Sequence, residues 1–290
     1  MQKKYLIVVI VLVAIGIFLL SKVFAGDFII SQELSIGSWS LRWYGLCMAL
    51  AVIVGYMIAQ QRRPRFNLST QNADLILFWV AISGFLGARA YHIISDFNYY
   101  RSNIFEVFQV WHGGLSIYGA LIGGFIGLMI LVAKQYSKSE RLRSLGSILD
   151  WLVPSVLAGQ IIGRFGNFFN YELFGYPTNL PWKMFVPEQF RSPGFFVQEY
   201  FHTLFLYEAL ANGLILLFLY KFVDRSARPG RLFLWYVLLY NTVRFLLEFL
   251  RIDSVFWGTF RANAGVSAIL VLITGTLLVI LYAHKTSQNN

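Results

Sequence analysis

Apolar runs close to the length of a bilayer span recur along this 290-residue chain, near residues 5–21, 41–60, 73–95, 113–133, 146–164, 204–221, 231–250 and 262–283. A helix needs about 20 mostly apolar residues to cross a hydrocarbon core. Only helices and closed barrels satisfy their backbone polar groups in lipid. The expected architecture is therefore an all-α polytopic membrane protein, with seven spans following an extra N-terminal hydrophobic helix. Charged residues make up 13% of the chain, against about 25% in soluble domains, too few to cover a water-facing surface. The longest stretch without a span, about 165–203, holds Pro177, Pro181, Pro187 and Pro193. It reads as an ordered outward-facing loop with turns and short interfacial helices.

The formal net charge is +10. Many of its basic residues cluster at the chain ends and in short loops between apolar runs: Lys3 and Lys4; Arg62, Arg63 and Arg65; Lys134, Lys138, Arg141 and Arg143; Lys221, Arg225, Arg228 and Arg231; and Lys285. That alternation fits the positive-inside rule and anionic lipid, not nucleic acid. It places these loops and the C-terminus in the cytoplasm, and the loop at 165–203 outside. Residues 1–25 read as a retained anchor or a cleaved signal peptide: "MQKK" is a basic start, and "VFA" before Gly26 resembles a cleavage site. Residues 26–290 form one transmembrane domain in either case. Cys47 is the lone cysteine, inside an apolar run, and no Cys/His spacing suggests a metal.

Three arginines interrupt or border apolar runs: Arg89 in "GFLGARAYH", Arg164 in "IIGRFGN" and Arg244 in "NTVRFLLEF". A central arginine costs about 2.5–3.5 kcal/mol to insert, so each needs compensation. One reading is structural ion pairing, as between Arg244 and Glu248 at i,i+4 spacing. The sharper reading is a cavity that grips a phosphate, because guanidinium is always charged and binds phosphate bidentately. In "GRFGNFFNYELFG" (163–175), Gly163 and Gly166 bracket Arg164, and Asn167, Asn170 and Glu172 follow. Glycines that only let helices pack closely suit "LIGGFIG" but leave this polar set unexplained. His112, Ser116 and Tyr118 lie in "WHGGLSIYGA", Tyr44 in "RWYG", and Tyr207 and Glu208 in "HTLFLYE". All fall in the outer halves of their spans, the layout expected of a site that works on a lipid headgroup.

"GRFGNFFNYELFG" resembles the signature of the prolipoprotein diacylglyceryl transferases, Gly-Arg-x-Gly-Asn-Phe-x-Asn-x-Glu-x-x-Gly, at every fixed position. "RWYG", "GGLS", "LYE" and "RFLLEFLR" extend the resemblance, in order, over about 36–283. It implies a bacterial inner-membrane enzyme that moves the diacylglyceryl group of phosphatidylglycerol onto the lipobox cysteine of prolipoprotein signal peptides, releasing glycerol phosphate, without a cofactor. It further implies that Arg164 binds the phospholipid and that Arg244 is a second essential arginine. Arg89, Tyr44, Asn167, Asn170, Glu172, Gly175, Tyr240 and Glu248 are implied around the headgroup. The family's usual histidine base is replaced here by Tyr118, leaving His112 as the alternative base. Thr203, Phe205, Asn241 and Val266 also depart from the pattern. A non-catalytic phospholipid-binding relative and an anion transporter are the competing expectations.

Overall fold

A computed structural model describes residues 16, 18–37, 39–223 and 228–288, with side chains described up to residue 282. Most of the N-terminal apolar run, 5–15, lies outside the described residues; residues 18–25 are helical. Then come β1 (Glu33–Ile36), β2 (Trp39–Arg42), α1 (Trp43–Arg62), α2 (Thr70–Ser95), α3 (Ile117–Gln135) and α4 (Arg141–Phe169). They are followed by β3 (Met184–Phe185), β4 (Tyr200–Phe201), α5 (Leu204–Phe218), α6 (Arg231–Glu248), β5 (Phe256–Trp257), β6 (Phe260–Arg261) and α7 (Ala262–Gln288).

Among the described residues, six helical segments are long and apolar enough to cross a membrane: Trp43–Phe66, Thr70–Ser95, Ile117–Gln135, Arg141–Phe169, Leu204–Val223 and Ala262–Tyr282. The chain is mostly helical and of multi-pass membrane type. Helix α6 forms where expected, but Arg231, Arg244 and Glu248 set it apart from the other six. Among the described residues, three short antiparallel strand pairs, β1–β2, β3–β4 and β5–β6, add strand that an all-α expectation lacks. In the loop expected at 165–203, α4 runs on to Phe169, and the β3–β4 pair accompanies a single short 3-10 turn, Glu188–Phe190.

The chain divides into two compact units. One holds Tyr56–Ser155 and Ser226–Phe233. Its core joins Ala59, Ile76, Leu128, Leu131, Ile148 and Trp151, and the Trp151 indole donates to the Ala59 carbonyl at 2.8 Å. Ser69 and Ser116 cap α2 and α3 through their hydroxyls. These two helices touch through glycines: a Cβ on Gly123 would lie 2.8 Å from the Gly87 Cα. "LIGGFIG" is thus a close-packing stripe. Asp150 accepts from the Gly230 and Phe233 amides at 2.8 and 2.7 Å, satisfying free N–H groups at the start of α6.

The other unit holds Met1–Gly55, Val156–Arg225 and Leu234–Asn290. Phe168, Phe174, Met184, Val186, Phe201 and Phe205 form its aromatic core, which anchors the segment after α4. Outward-facing Leu214, Leu217, Leu272 and Val279 are exposed, as expected of helices whose solvent is lipid.

Candidate active site

The signature begins on the last turns of α4 and ends in a loop. Three hydrogen bonds carry the chain past the helix end: Asn170 N–H to Gly166 O (3.2 Å), Tyr171 N–H to Phe168 O (3.1 Å) and Glu172 N–H to Asn167 O (2.9 Å). Tyr171 and Leu173 then take left-handed backbone angles, φ 55° and 57°. Such angles cost a non-glycine residue about 1–3 kcal/mol and persist only where the surroundings enforce them. The Tyr171 hydroxyl donates to Ile30 O and accepts from Ile30 N–H, both at 3.0 Å. Its ring stacks on Phe190, with centroids 4.8 Å apart. Burial pushes the Tyr171 phenol above its ordinary pKa.

Between these two residues stands Glu172. Asn167 donates to one of its oxygens at 3.1 Å and Asn170 to the other at 3.2 Å. The two signature asparagines therefore fix the signature glutamate. Gly175 closes the motif against the end of α6. Its N–H donates to His202 O, and the Tyr176 N–H donates to Leu250 O, both at 2.9 Å. Gly175 forms a bridge with Arg251. A Cβ here would sit 2.5 Å from Leu250 O, so only glycine permits this approach.

Ion pairing is concentrated on α4, α5 and α6. Glu208, with a side chain 4% exposed, holds Arg164 through Oε2. Its Oε1 faces Arg244 Nη1 at 3.4 Å and Arg251 Nη1 at 3.7 Å. Glu248, fully buried, takes Arg244 Nη2 at 2.8 Å and lies 4.0 Å from Arg251 Nε. Asn263 donates to its other oxygen at 3.3 Å. Three guanidinium groups thus face two buried carboxylates, and Arg251 also reaches the half-exposed Asp253 at 2.6 Å, which balances the third cation. Arg164 Nη1 lies 3.5 Å from Asn167 Oδ1, and its buried Nε has no hydrogen-bond partner among the described residues. Arg261 fastens the turn after α6 by donating to the Glu248 and Arg251 carbonyls at 2.7 and 3.1 Å. The arrangement can hold an anion by redistributing donors already gathered in a low-dielectric setting.

Tyr44, at the start of α1, packs its ring where a Cβ on Gly166 would lie 3.0 Å from it. It is within electrostatic reach of Glu172 and Arg164. Tyr240, one turn before Arg244, packs on Tyr236, whose hydroxyl accepts from Gln160 at 2.9 Å. Arg164, Arg244, Glu248, Asn167, Asn170, Glu172, Gly175, Tyr44 and Tyr240 all belong to this unit. Sequence reasoning left Glu208, Arg251 and Arg261 out of its candidate set. Glu208 lies in the quoted "LYE" and Arg251 in "RFLLEFLR", while Arg261 carried no signal.

The remaining candidates belong to the other unit. Arg89 is 7% exposed and its fork is committed to backbone carbonyls. Nε donates to Val107 O (3.0 Å), Nη1 to Gly113 O (2.7 Å) and Gly114 O (3.0 Å), and Nη2 to Glu106 O. It pins the 106–114 loop. His112 Nδ1 pairs with Glu106 at 3.0 Å. Both residues border a cavity of about 150 Å³ together with Arg89, His92, Asp96 and Tyr99. Tyr118, in the first turn of α3, is half exposed and lies near Tyr91, with ring centroids 6.3 Å apart.

Comparison with known proteins agrees with the signature. The prolipoprotein diacylglyceryl transferase family model matches residues 32–281. A phosphatidylglycerol–prolipoprotein diacylglyceryl transferase of Fervidobacterium nodosum is 41% identical over 277 residues, covering 94% of this chain and 93% of its own. Proteins of the same name from Thermotoga maritima and Thermosynechococcus vestitus are 37% and 36% identical. They cover 92% and 86% of this chain, and 90% and 91% of their own. With the signature folded as one asparagine-glutamate-glycine unit beside the arginines, and a family match over most of its length, the chain belongs to the prolipoprotein diacylglyceryl transferase family.

Proposed function

We propose that this enzyme transfers the diacylglyceryl group of phosphatidylglycerol to the thiol of a lipobox cysteine in prolipoproteins, forming a thioether and releasing glycerol phosphate. The observation that carries this reading is the buried cluster of Arg164, Arg244 and Arg251 around Glu208 and Glu248. Cleavage of the glyceryl carbon–oxygen bond turns a phosphodiester monoanion into a monoester that gains charge. Preorganised donors facing that charge contribute about 3–4 kcal/mol each to lowering the barrier. The same cations favour the thiolate of the incoming cysteine, the reactive form.

In this reading Arg164 and Arg244 grip the phosphate, and Asn167, Asn170 and Glu172 shape the mouth beside Tyr44. Gly175 and Glu248 keep the arginine layer in register, and Tyr240 lines the approach one turn deeper. Arg89 holds the loop that carries His112, and Tyr118 takes the place of the family histidine. The catalytic domain spans 26–290 with seven crossings, behind an N-terminal segment at 1–25. The basic loops lie in the cytoplasm and the site opens to the outer leaflet of the inner membrane. The test is transfer from phosphatidylglycerol vesicles to a lipobox peptide by the purified protein, together with complementation of a strain depleted of its own transferase. Thioether product and rescue are expected; phosphatidylglycerol binding without transfer would mean a non-catalytic relative.

A further inference from the structure

The transferase reading leaves one chemical task without a residue, the removal of the thiol proton. Tyr118 stands where the family histidine is expected, and a neutral phenol is a poor proton acceptor. Glu208 is the best-placed carboxylate in the arginine layer. It lies on α5, one turn in from Leu204, with a side chain 4% exposed. Its two oxygens are divided between arginines of different elements: Arg164 from α4 on one side, and Arg244 from α6 with Arg251 just beyond it on the other. Among the described residues, no other carboxylate pairs with Arg164. Glu248, the other buried carboxylate of this layer, is tied to its own helix through Arg244 and to α7 through Asn263, and the half-exposed Asp253 pairs with Arg251.

The position of Glu208 is that of an internal anion between two guanidinium forks. A phosphodiester entering the layer competes for the same N–H groups, Arg164 Nη2 and Arg244 Nη1. Guanidinium forks match phosphate oxygens bidentately. A buried carboxylate that loses its cations is costly as an anion and relieves that cost by taking up a proton. We propose that Glu208 holds the arginines in the resting enzyme, is displaced by the phosphate of phosphatidylglycerol, and then accepts the proton of the lipobox thiol. This inference rests on the transferase reading and assigns it a catalytic base.

The step balances. The S–H bond breaks and its proton goes to a Glu208 carboxylate oxygen. The sulfur electron pair forms the bond to the terminal glyceryl carbon. The bond from that carbon to the phosphate ester oxygen breaks, with its pair on oxygen, and glycerol phosphate departs as a dianion. Glu208 passes its proton to water or to the departing phosphate, and its carboxylate recaptures Arg164 and Arg244. Substrate binding thus switches the base on, and product release resets it.

The test is a pair of variants, Glu208→Gln and Glu208→Asp, measured for phosphatidylglycerol binding and for transfer between pH 6 and 9.5. Glu208→Gln is expected to bind phosphatidylglycerol at least as tightly as the parent, because the competing anion is gone. Its kcat at pH 7 should fall by about 10²–10⁴-fold, the usual contribution of a general base. The deficit should shrink as the peptide's own thiol ionises, near pH 8.5 for an ordinary cysteine. Glu208→Asp should keep the parent's pH profile at a lower rate. Unchanged kcat in Glu208→Gln, or a loss that high pH does not recover, would overturn the assignment. So would an Asp variant whose profile follows that expected of Gln. Failure of the parent enzyme to convert phosphatidylglycerol would instead overturn the transferase reading beneath it.

Discussion

Replacing Gly175 by alanine tests how the signature loop controls the arginine layer. The added Cβ would lie 2.5 Å from Leu250 O, 3.0 Å from the His202 Cβ and 3.1 Å from the Leu204 Cγ. The backbone cannot retreat freely, because the Gly175 and Tyr176 amides are bonded to His202 and Leu250 on either side. Overpacking of this kind costs about 1–3 kcal/mol, and weakening one of those bonds adds about 0.5–1.5 kcal/mol. Together these come to about 1.5–4.5 kcal/mol. At about 2–4 °C per kcal/mol for domains of 150–250 residues, the melting temperature in detergent should drop by at least several degrees. Leu250 and Arg251 take the strain, so the Arg251 guanidinium moves relative to Glu208 and Glu248. A displacement of about 1 Å at a reacting constellation can cost on the order of 10²-fold in rate. Gly213→Ala on α5 is the matched control, because a Cβ there meets nothing within 4 Å. A Gly175→Ala protein that melts and turns over like the Gly213→Ala control would refute the close-contact argument.

Three further outcomes follow from the same geometry. Arg89→Lys keeps the charge but loses the fork that reaches Val107, Gly113 and Gly114, so amide exchange over 106–114 should accelerate while the rest of α2 stays protected. Asp150→Ala removes the acceptor for Gly230 and Phe233 and should destabilise the protein by about 1–3 kcal/mol, read as a lowered melting temperature. His202, in the segment before α5, has its pKa lowered from 6.5 by desolvation. The unfolded chain therefore binds that proton first, so His202's contribution to stability is complete above about pH 6.5 and is lost as pH falls through the lowered folded value. Melting curves from pH 7.5 to 5 should show a shallower acid decline for His202→Gln than for the parent; identical slopes would contradict this.

What could be read in the sequence was local. The helix pattern came from run length, and the Arg244–Glu248 pair from i,i+4 spacing. The signature glycine at 175 proved to be a place with no room for a side chain. Glu208 was visible as a charge near an apolar run. Its role was not, because its partners Arg164 and Arg244 lie 44 and 36 residues away on other helices, and no spacing rule joins them. Arg89 was noticed because an arginine in an apolar run signals a need for partners, and the partners that backbone carbonyls supply to it were not legible from its neighbours in sequence. The left-handed turns at Tyr171 and Leu173 were also hidden, since neither residue type announces such a backbone.

Stabilisation by the arginine layer of the phosphate charge that develops during transfer is the proposal on which the mechanism depends. Its most direct measurement is single-turnover transfer from phosphatidylglycerol to a lipobox peptide by Arg164→Ala and Arg244→Ala, each compared with the parent after membrane insertion is verified. Each variant is expected to lose at least about 10²-fold in the rate of the chemical step, in line with removal of one preorganised donor. Retention of the parent rate by either inserted variant would contradict it.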